Sequence, residues 1–208
     1  MSRADSRRAG ACLLPHLPLD VPGSDVVSLS GLWPAGLALS KHSLDGDEGR
    51  TAVGDLLDRF KYGGERRLAR PLAEALAGAL HDASGFGAID FIVHVPATTE
   101  RYRMPPTYDL ARALAKELRV RCLPNLIART RRLAHQKDLF RLEEKTANVR
   151  GAFRVRRAEF VRGKKLLLID DVYDSGATLE EVWRTLMQAG AREVVVAAVT
   201  KTRYRRDG

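Results

Sequence analysis

The densest chemistry in the sequence lies in Asp170-Asp171-Val172-Tyr173-Asp174-Ser175-Gly176-Ala177-Thr178. The apolar stretch Lys165–Ile169 predicts a strand that ends in Asp170-Asp171, and the residues from Leu179 predict a helix, with Val172–Thr178 as the loop. The loop between them falls where open α/β sheets bind ligands, beyond the carboxyl end of a strand. Gly176 lets the backbone approach an anion closely, and the amides at a helix N-terminus favour a phosphate. Ser175 and Thr178 can donate hydroxyl hydrogen bonds to the same oxygens. The carboxylates of Asp170 and Asp171 repel that phosphate, and sugar hydroxyls and a divalent cation suit them instead. A phosphate cradle beside paired acids is the pattern of a ribose 5-phosphate site. The plainer reading is a solvated strand end with a capping turn, and the apolar strand, the two acids and the following helix argue jointly against it.

The elements that must hold this loop can be traced back along the chain. Val53, Leu56, Leu57 and Phe60 share one helix face, ended by Gly63-Gly64. Leu68, Leu72, Leu76 and Leu80 mark a second helix over Arg66–Ala83, and Ile89–Pro96 reads as a buried strand. A helix follows Pro105-Pro106, carried by Leu110, Leu114 and Leu118. Val120–Ile127 reads as a short strand, and Arg129–Arg150 as a polar, mobile loop with helical parts. Leu179–Ala189 reads as a helix capped by Gly190, and Glu193–Val199 as another buried strand. Strands alternating with helices predict an α/β fold with a mainly parallel sheet covered on both faces. The domain proper is expected over 51–208, with residues 1–50 a poorly structured segment or small hood.

The chain has 208 residues, 45% of them apolar, enough for one well-buried core. No apolar run reaches the roughly 20 residues of a membrane span. The N-terminal Arg3, Arg7 and Arg8 precede AGACLLPHLPL, where Pro15 and Pro18 break the apolar stretch, so it reads as a flexible start in a cytoplasmic protein. Cys12 and Cys122 are too few for a disulfide framework or a zinc site. The net charge is +9, and Arg119–Lys165 alone carries 15 Lys+Arg against 4 Asp+Glu, which suits a phosphate-bearing partner or simply a solvated basic face.

LLLIDDVYDSGAT resembles the signature of type I phosphoribosyltransferases, which bind phosphoribosyl pyrophosphate (PRPP) with Mg²⁺. The resemblance implies that Asp170 and Asp171 hold the ribose 2′- and 3′-hydroxyls and, indirectly, the metal, while Asp174–Thr178 wrap the 5′-phosphate. It places Asp174 where purine salvage relatives carry an aspartate that assists proton transfer. It also implies a pyrophosphate loop after the first sheet strand, here Pro96, Ala97 and Thr98 with Arg101 and Arg103 following.

Two further stretches are similar to the ComF-like competence branch of that superfamily. One is Asp58-Arg59-Phe60-Lys61-Tyr62-Gly63-Gly64. The other runs through Arg129, Arg131, Gln136, Leu139, Asn148-Val149 and Gly151-Ala152-Phe153. The resemblance makes Arg129, Arg131 and Gln136 part of a flexible loop over the ligand. This chain departs from it in lacking the CxxC zinc ribbon, in carrying Met104–Tyr108 where relatives have a different stretch, and in having Lys145 for an arginine.

Two functions stay open on the sequence. One is an enzyme that displaces pyrophosphate from PRPP. The other is a PRPP-sensing competence module that binds single-stranded DNA through the basic tract, where aromatics for base stacking are few, Phe140 and Phe153 among them. The partners in view are PRPP or another ribose 5-phosphate ligand, single-stranded DNA, and a second copy of the chain as a homodimer. The acceptor base is not legible in residues 24–64.

Overall fold

The computed structural model describes residues 25–44, 49–97, 104–134, 139 and 141–202. Cys12 with the N-terminal segment, and Thr98, Arg101, Arg103 and Gln136 among the expected site residues, lie outside them. Along the chain run β1 (Val27–Ser28), β2 (Gly36–Lys41), α1 (Ala52–Lys61), α2 (Ala69–Asp82), β3 (Phe91–His94) and α3 (Pro106–Glu117). They are followed by β4 (Arg121–Cys122), β5 (Ile127–Arg129), α4 (Leu142–Val149), β6 (Phe153–Val155), β7 (Lys165–Tyr173), α5 (Ala177–Gln188) and β8 (Glu193–Lys201). The main sheet has the order β1-β2-β8-β7-β3-β4, parallel throughout except for β1 against β2. β5 and β6 form a separate antiparallel pair.

Successive residues of a strand face opposite sides of the sheet, and here both sides are covered. Leu37, Leu39, Ile92, Leu167, Ile169, Val195, Ala197 and Val199 pack with the buried faces of α1, α2 and α3. Ala38, Val93, Leu166, Leu168, Val194, Val196 and Ala198 pack with Leu179, Val182 and Leu186 of α5 and with Ile127, Val149 and Phe153. That double burial is why β7 and β8 read as unbroken apolar runs. Local chemistry sets the helix ends. Thr51 Oγ1 accepts from Gly54 N at 3.0 Å to start α1. Pro106 opens α3, and Gly190, with φ of 94°, follows α5 in the left-handed region.

Two elements differ from the sequence expectation. β2 lies in the segment read as poorly structured or hood, yet it pairs along β8 from Gly36 against Val196 to Lys41 against Lys201. The sheet therefore starts before Thr51; the Trp-Pro-Ala-Gly approach and six-residue length of β2 hide it. Val120–Ile127 resolves into β4 and β5, split at Pro124-Asn125, where Asn125 has φ of 56°. The tract 129–150, read as a loop with helical parts, does hold a helix, α4, and its first residue, Arg129, ends β5. Among the described residues no helix is long and apolar enough to cross a membrane.

Candidate functional site

β7 does not end at Ile169. Its pairing with β8 continues through Asp170 against Ala198, Val172 against Thr200 and Tyr173 against Lys201. Val172 and Tyr173, expected as loop, are thus strand, and the true loop is Asp174-Ser175-Gly176 before α5. Ladder pairing on either side of Asp171, at Asp170 and Val172, fixes the acids more firmly than a loop would.

Asp171 shares the face of Leu167 and Ile169 and so turns towards α1 and α3. Its Oδ2 lies 3.0 Å from Lys61 Nζ, and Thr107 Oγ1 donates to the same oxygen at 3.4 Å. The two charged side chains are only 18% and 15% exposed. Burial works against the Lys61 ammonium, but the charges of Asp171 and Asp170 outweigh it and hold its pKa above the usual lysine value. Asp170 accepts from Asp171 N through Oδ1 at 2.8 Å. Burial, then the negative charge of Asp171, push the Asp170 carboxyl up to about 8. The pair therefore holds one lysine-matched carboxylate beside one that resists ionisation. Both are acceptors for sugar hydroxyls, and the charge of a bound cation would favour ionising the second.

The expected phosphate loop is built on Gly176, the residue before α5, with φ of 83° and ψ of −13°. This left-handed turn leads into the first turn of α5, whose amides the helix itself does not satisfy. Tyr173 packs behind it. Its hydroxyl donates to Ser30 O at 2.8 Å, and its ring meets Trp33 edge-on at 6.3 Å between centroids. Trp33 Nε1 in turn donates to Leu29 O at 2.9 Å. The segment between β1 and β2 thus buttresses the loop. We expect Tyr173→Phe, which removes one hydrogen bond worth about 1 kcal/mol, to lower the melting temperature by about 2–4 °C in thermal denaturation.

Asp174 is held from two sides. Its Oδ2 forms an ion pair with Lys145 of α4, and its Oδ1 accepts from Thr202 Oγ1 at 2.7 Å. Ser175 Oγ lies 3.5 Å from Ala177 N. Val172 and Ala177 contribute backbone, and Thr178 stands in the first turn of α5.

On the neighbouring strand, His94 pairs with Ile169 and Val95 N donates to Ile169 O at 3.0 Å. Pro96 and Ala97 leave β3 from that point, so the expected pyrophosphate loop begins beside the acid pair. Arg129 is in β5, opposite Phe153. Arg131 gives its guanidinium to the carbonyls of Asn148 at 2.8 Å and Arg150 at 3.3 Å. Asn148 clasps Ala134 through both backbone atoms, at 3.2 and 3.0 Å. Arg129 and Arg131 therefore belong to the packing between β5, β6 and α4 in this structure.

Sequence reasoning did not anticipate Thr107, Ser30, Trp33 or Thr202 at the site, and it had no role for Lys61 or Lys145. Thr107 and Lys61 reach Asp171 only because α3 and α1 cover the same sheet face, a fact of tertiary packing. The proximity of Lys145 to Asp174 is equally non-local.

Residues 108–207 match the family described as Phosphoribosyl transferase domain, a span that includes the acid pair, the loop and α5. No curated protein matches the chain. Among solved structures the chain is similar to a phosphoribosylpyrophosphate synthetase from Mycobacterium smegmatis, with 22% identity over 62% of this chain and 33% of that one, TM-score 0.41. A glutamine PRPP amidotransferase from B. subtilis gives 16% identity over 68% and 30%, TM-score 0.45. An adenine phosphoribosyl transferase from Trypanosoma brucei gives 18% over 84% and 75%, TM-score 0.47. The chain spans about a third of the length of the first two. The mostly parallel sheet flanked by helices is the α/β architecture expected from the sequence.

Proposed function

We propose, from a chain whose residues 108–207 carry a phosphoribosyl transferase domain, that its site binds PRPP and transfers the phosphoribosyl group with release of pyrophosphate. The observation that carries this is the continuity of β7 into the left-handed turn at Gly176. One strand end presents the acid pair, and the next three residues present the amides of α5. The 5′-phosphate would sit on Ser175–Thr178 and the ribose hydroxyls on Asp170 and Asp171. The pyrophosphate would lie towards Pro96 and Ala97, with Thr98, Arg101 and Arg103 next in sequence.

In the reaction the bond from the ribose anomeric carbon to the pyrophosphate oxygen breaks, and a bond to a nucleophilic nitrogen forms. Positive charge develops at that carbon, and the paired acids oppose it with fixed negative charge while orienting the sugar. Among the described residues no group of three or more His, Cys, Asp or Glu could cage a metal. Two adjacent carboxylates fit a Mg²⁺ that arrives on the ligand's own oxygens. When bound, it would neutralise the leaving pyrophosphate. Asp174, already engaged by Lys145 and Thr202, is better placed to shape the loop than to exchange protons with a base.

The ComF-like branch is supported by where its pattern residues go. Lys61 meets Asp171, and Asn148 ties the turn at Ala134 to α4. A competence role in a cytoplasmic protein, linked to DNA uptake, follows as the finer proposal. Arg150, Arg154, Arg156, Arg157 and Arg162 are exposed around β6, a surface suited to a nucleic-acid backbone. That surface favours a second reading, a non-catalytic PRPP sensor that contacts single-stranded DNA. A pyrophosphate-release assay with PRPP, Mg²⁺ and a panel of nucleobases and amines separates the two. The transferase reading expects acceptor-dependent release. Tight PRPP binding without release for any acceptor would remove it and leave the sensor.

A further inference from the structure

An aspartate inside a phosphate-binding loop is a contradiction in charge. Asp174 stands immediately before Ser175 and Gly176, where its carboxylate would repel a dianionic phosphate. The structure resolves the contradiction with a residue from another element. Lys145, in the middle of α4, is only 6% exposed, and its ammonium pairs with Asp174 Oδ2. Thr202, just after β8, holds the other oxygen at 2.7 Å. The carboxylate is thus turned between a buried cation and a hydroxyl.

Burying an ammonium is costly unless its charge is used. A cation placed this deep and this close to an anion site is available to the anion as well as to its carboxylate partner. We propose that Lys145 is a phosphate-positioning residue. It cancels the charge of Asp174 in the ligand-free protein and shares its ammonium with the incoming phosphate when the loop is filled. The proposal rests on the reading of Ser175–Thr178 as a phosphate site, and it adds a fourth element, α4, to that site. It also gives α4 a functional reason to be ordered against α5, to which the turn after α4 is tied by Gly151 N donating to Glu181 Oε1 at 2.7 Å.

A purely structural clasp and a charge-matching cation make opposite predictions for the two partners. If the pair merely braces the loop, removing either side chain harms phosphate binding alike. If Lys145 serves the phosphate, losing it leaves Asp174 unmatched, whereas losing the Asp174 charge frees the ammonium for the ligand.

The test is calorimetry of ribose 5-phosphate on wild type, Lys145→Met, Lys145→Arg, Asp174→Asn and the double variant Lys145→Met/Asp174→Asn. Thermal denaturation of each confirms that it is folded. The expected result is a loss of about tenfold or more for Lys145→Met, as for one charge-assisted hydrogen bond. Lys145→Arg should retain binding, Asp174→Asn should bind at least as well as wild type, and the double variant should recover most of the loss. Should Lys145→Met fail to fold, the Asp174→Asn result still decides. Equal weakening by Asp174→Asn and Lys145→Met, or unchanged binding by folded Lys145→Met, overturns the proposal while leaving the phosphate site intact. A wild type that does not bind ribose 5-phosphate overturns the site itself, and the proposal with it.

Discussion

Asp170→Asn should raise the melting temperature of the ligand-free protein at neutral and alkaline pH, while Asp171→Asn should lower it. The two residues are adjacent and isosteric, so nothing in packing volume distinguishes them. Their charges do. Asp170 has its carboxyl pushed up to about 8 by burial and by the charge beside it. A group whose folded pKa exceeds its unfolded value contributes stability that is complete below the unfolded value, near 4, and lost as pH rises through the folded one. Wild-type stability should therefore fall between about pH 4 and pH 8 on account of this residue, and Asp170→Asn should flatten that decline.

Asp171 behaves in the reverse sense because Lys61 needs it. The lysine ammonium is 18% exposed and lies 3.0 Å from the carboxylate. Removing the charge leaves a cation with little water and the poorly ionised Asp170 as the remaining acid beside it. Breaking a buried pair in this way costs about 3–5 kcal/mol; residual solvent access at both side chains puts the expectation at the lower end. Melting curves of the two single variants from pH 4 to pH 9 provide the check. Parallel shifts of both variants in the same direction would contradict the assignment of one matched and one strained carboxylate.

The second large effect is at Gly176. At φ of 83°, any side chain pays roughly 1–2 kcal/mol for the left-handed conformation. A Cβ there would also stand 2.7 Å from the Tyr173 hydroxyl. A free tyrosine would swing aside, but this one is 8% exposed, bonded to Ser30 O and packed on Trp33. Gly176→Ala must therefore displace a fixed ring or rotate the turn, and either outcome misdirects the first amides of α5. We expect a stability loss of about 2–4 kcal/mol, combining the backbone strain with a broken hydrogen bond. We also expect ribose 5-phosphate affinity to fall about a hundredfold or more, as an ångström-scale misplacement can cost that much. Chemical denaturation and calorimetry on the same preparation measure both. Gly176→Ala with near wild-type affinity would show that the turn does not set the phosphate site.

The loop itself was legible because it is a local feature. Strand, acids, glycine and helix succeed one another within 14 residues, from Lys165 to Thr178, and each has a meaning in isolation. The double-sided burial of the sheet was legible for the same reason, from the apolar runs at Lys165–Ile169 and Glu193–Val199. What the sequence hid was set by pairing and packing. β2 is six residues long and preceded by Trp33-Pro34, so its place against β8 depends on a partner more than 150 residues away. Val172 and Tyr173 look like loop until β8 is seen to pair with them. Lys61 reads as a helix-terminal lysine, and its meeting with Asp171 requires α1 to lie over that sheet face. Lys145 sits in a tract whose charge suggested solvent or nucleic acid, and the structure buries it against Asp174.

The most direct measurement is calorimetric titration of wild type and of the Asp170→Asn/Asp171→Asn double variant with PRPP in the presence of Mg²⁺. If the acids hold the ribose hydroxyls and the adjoining loop holds the 5′-phosphate, wild type binds PRPP and the folded double variant loses that binding. Unchanged PRPP affinity in the double variant would contradict the assignment of this site.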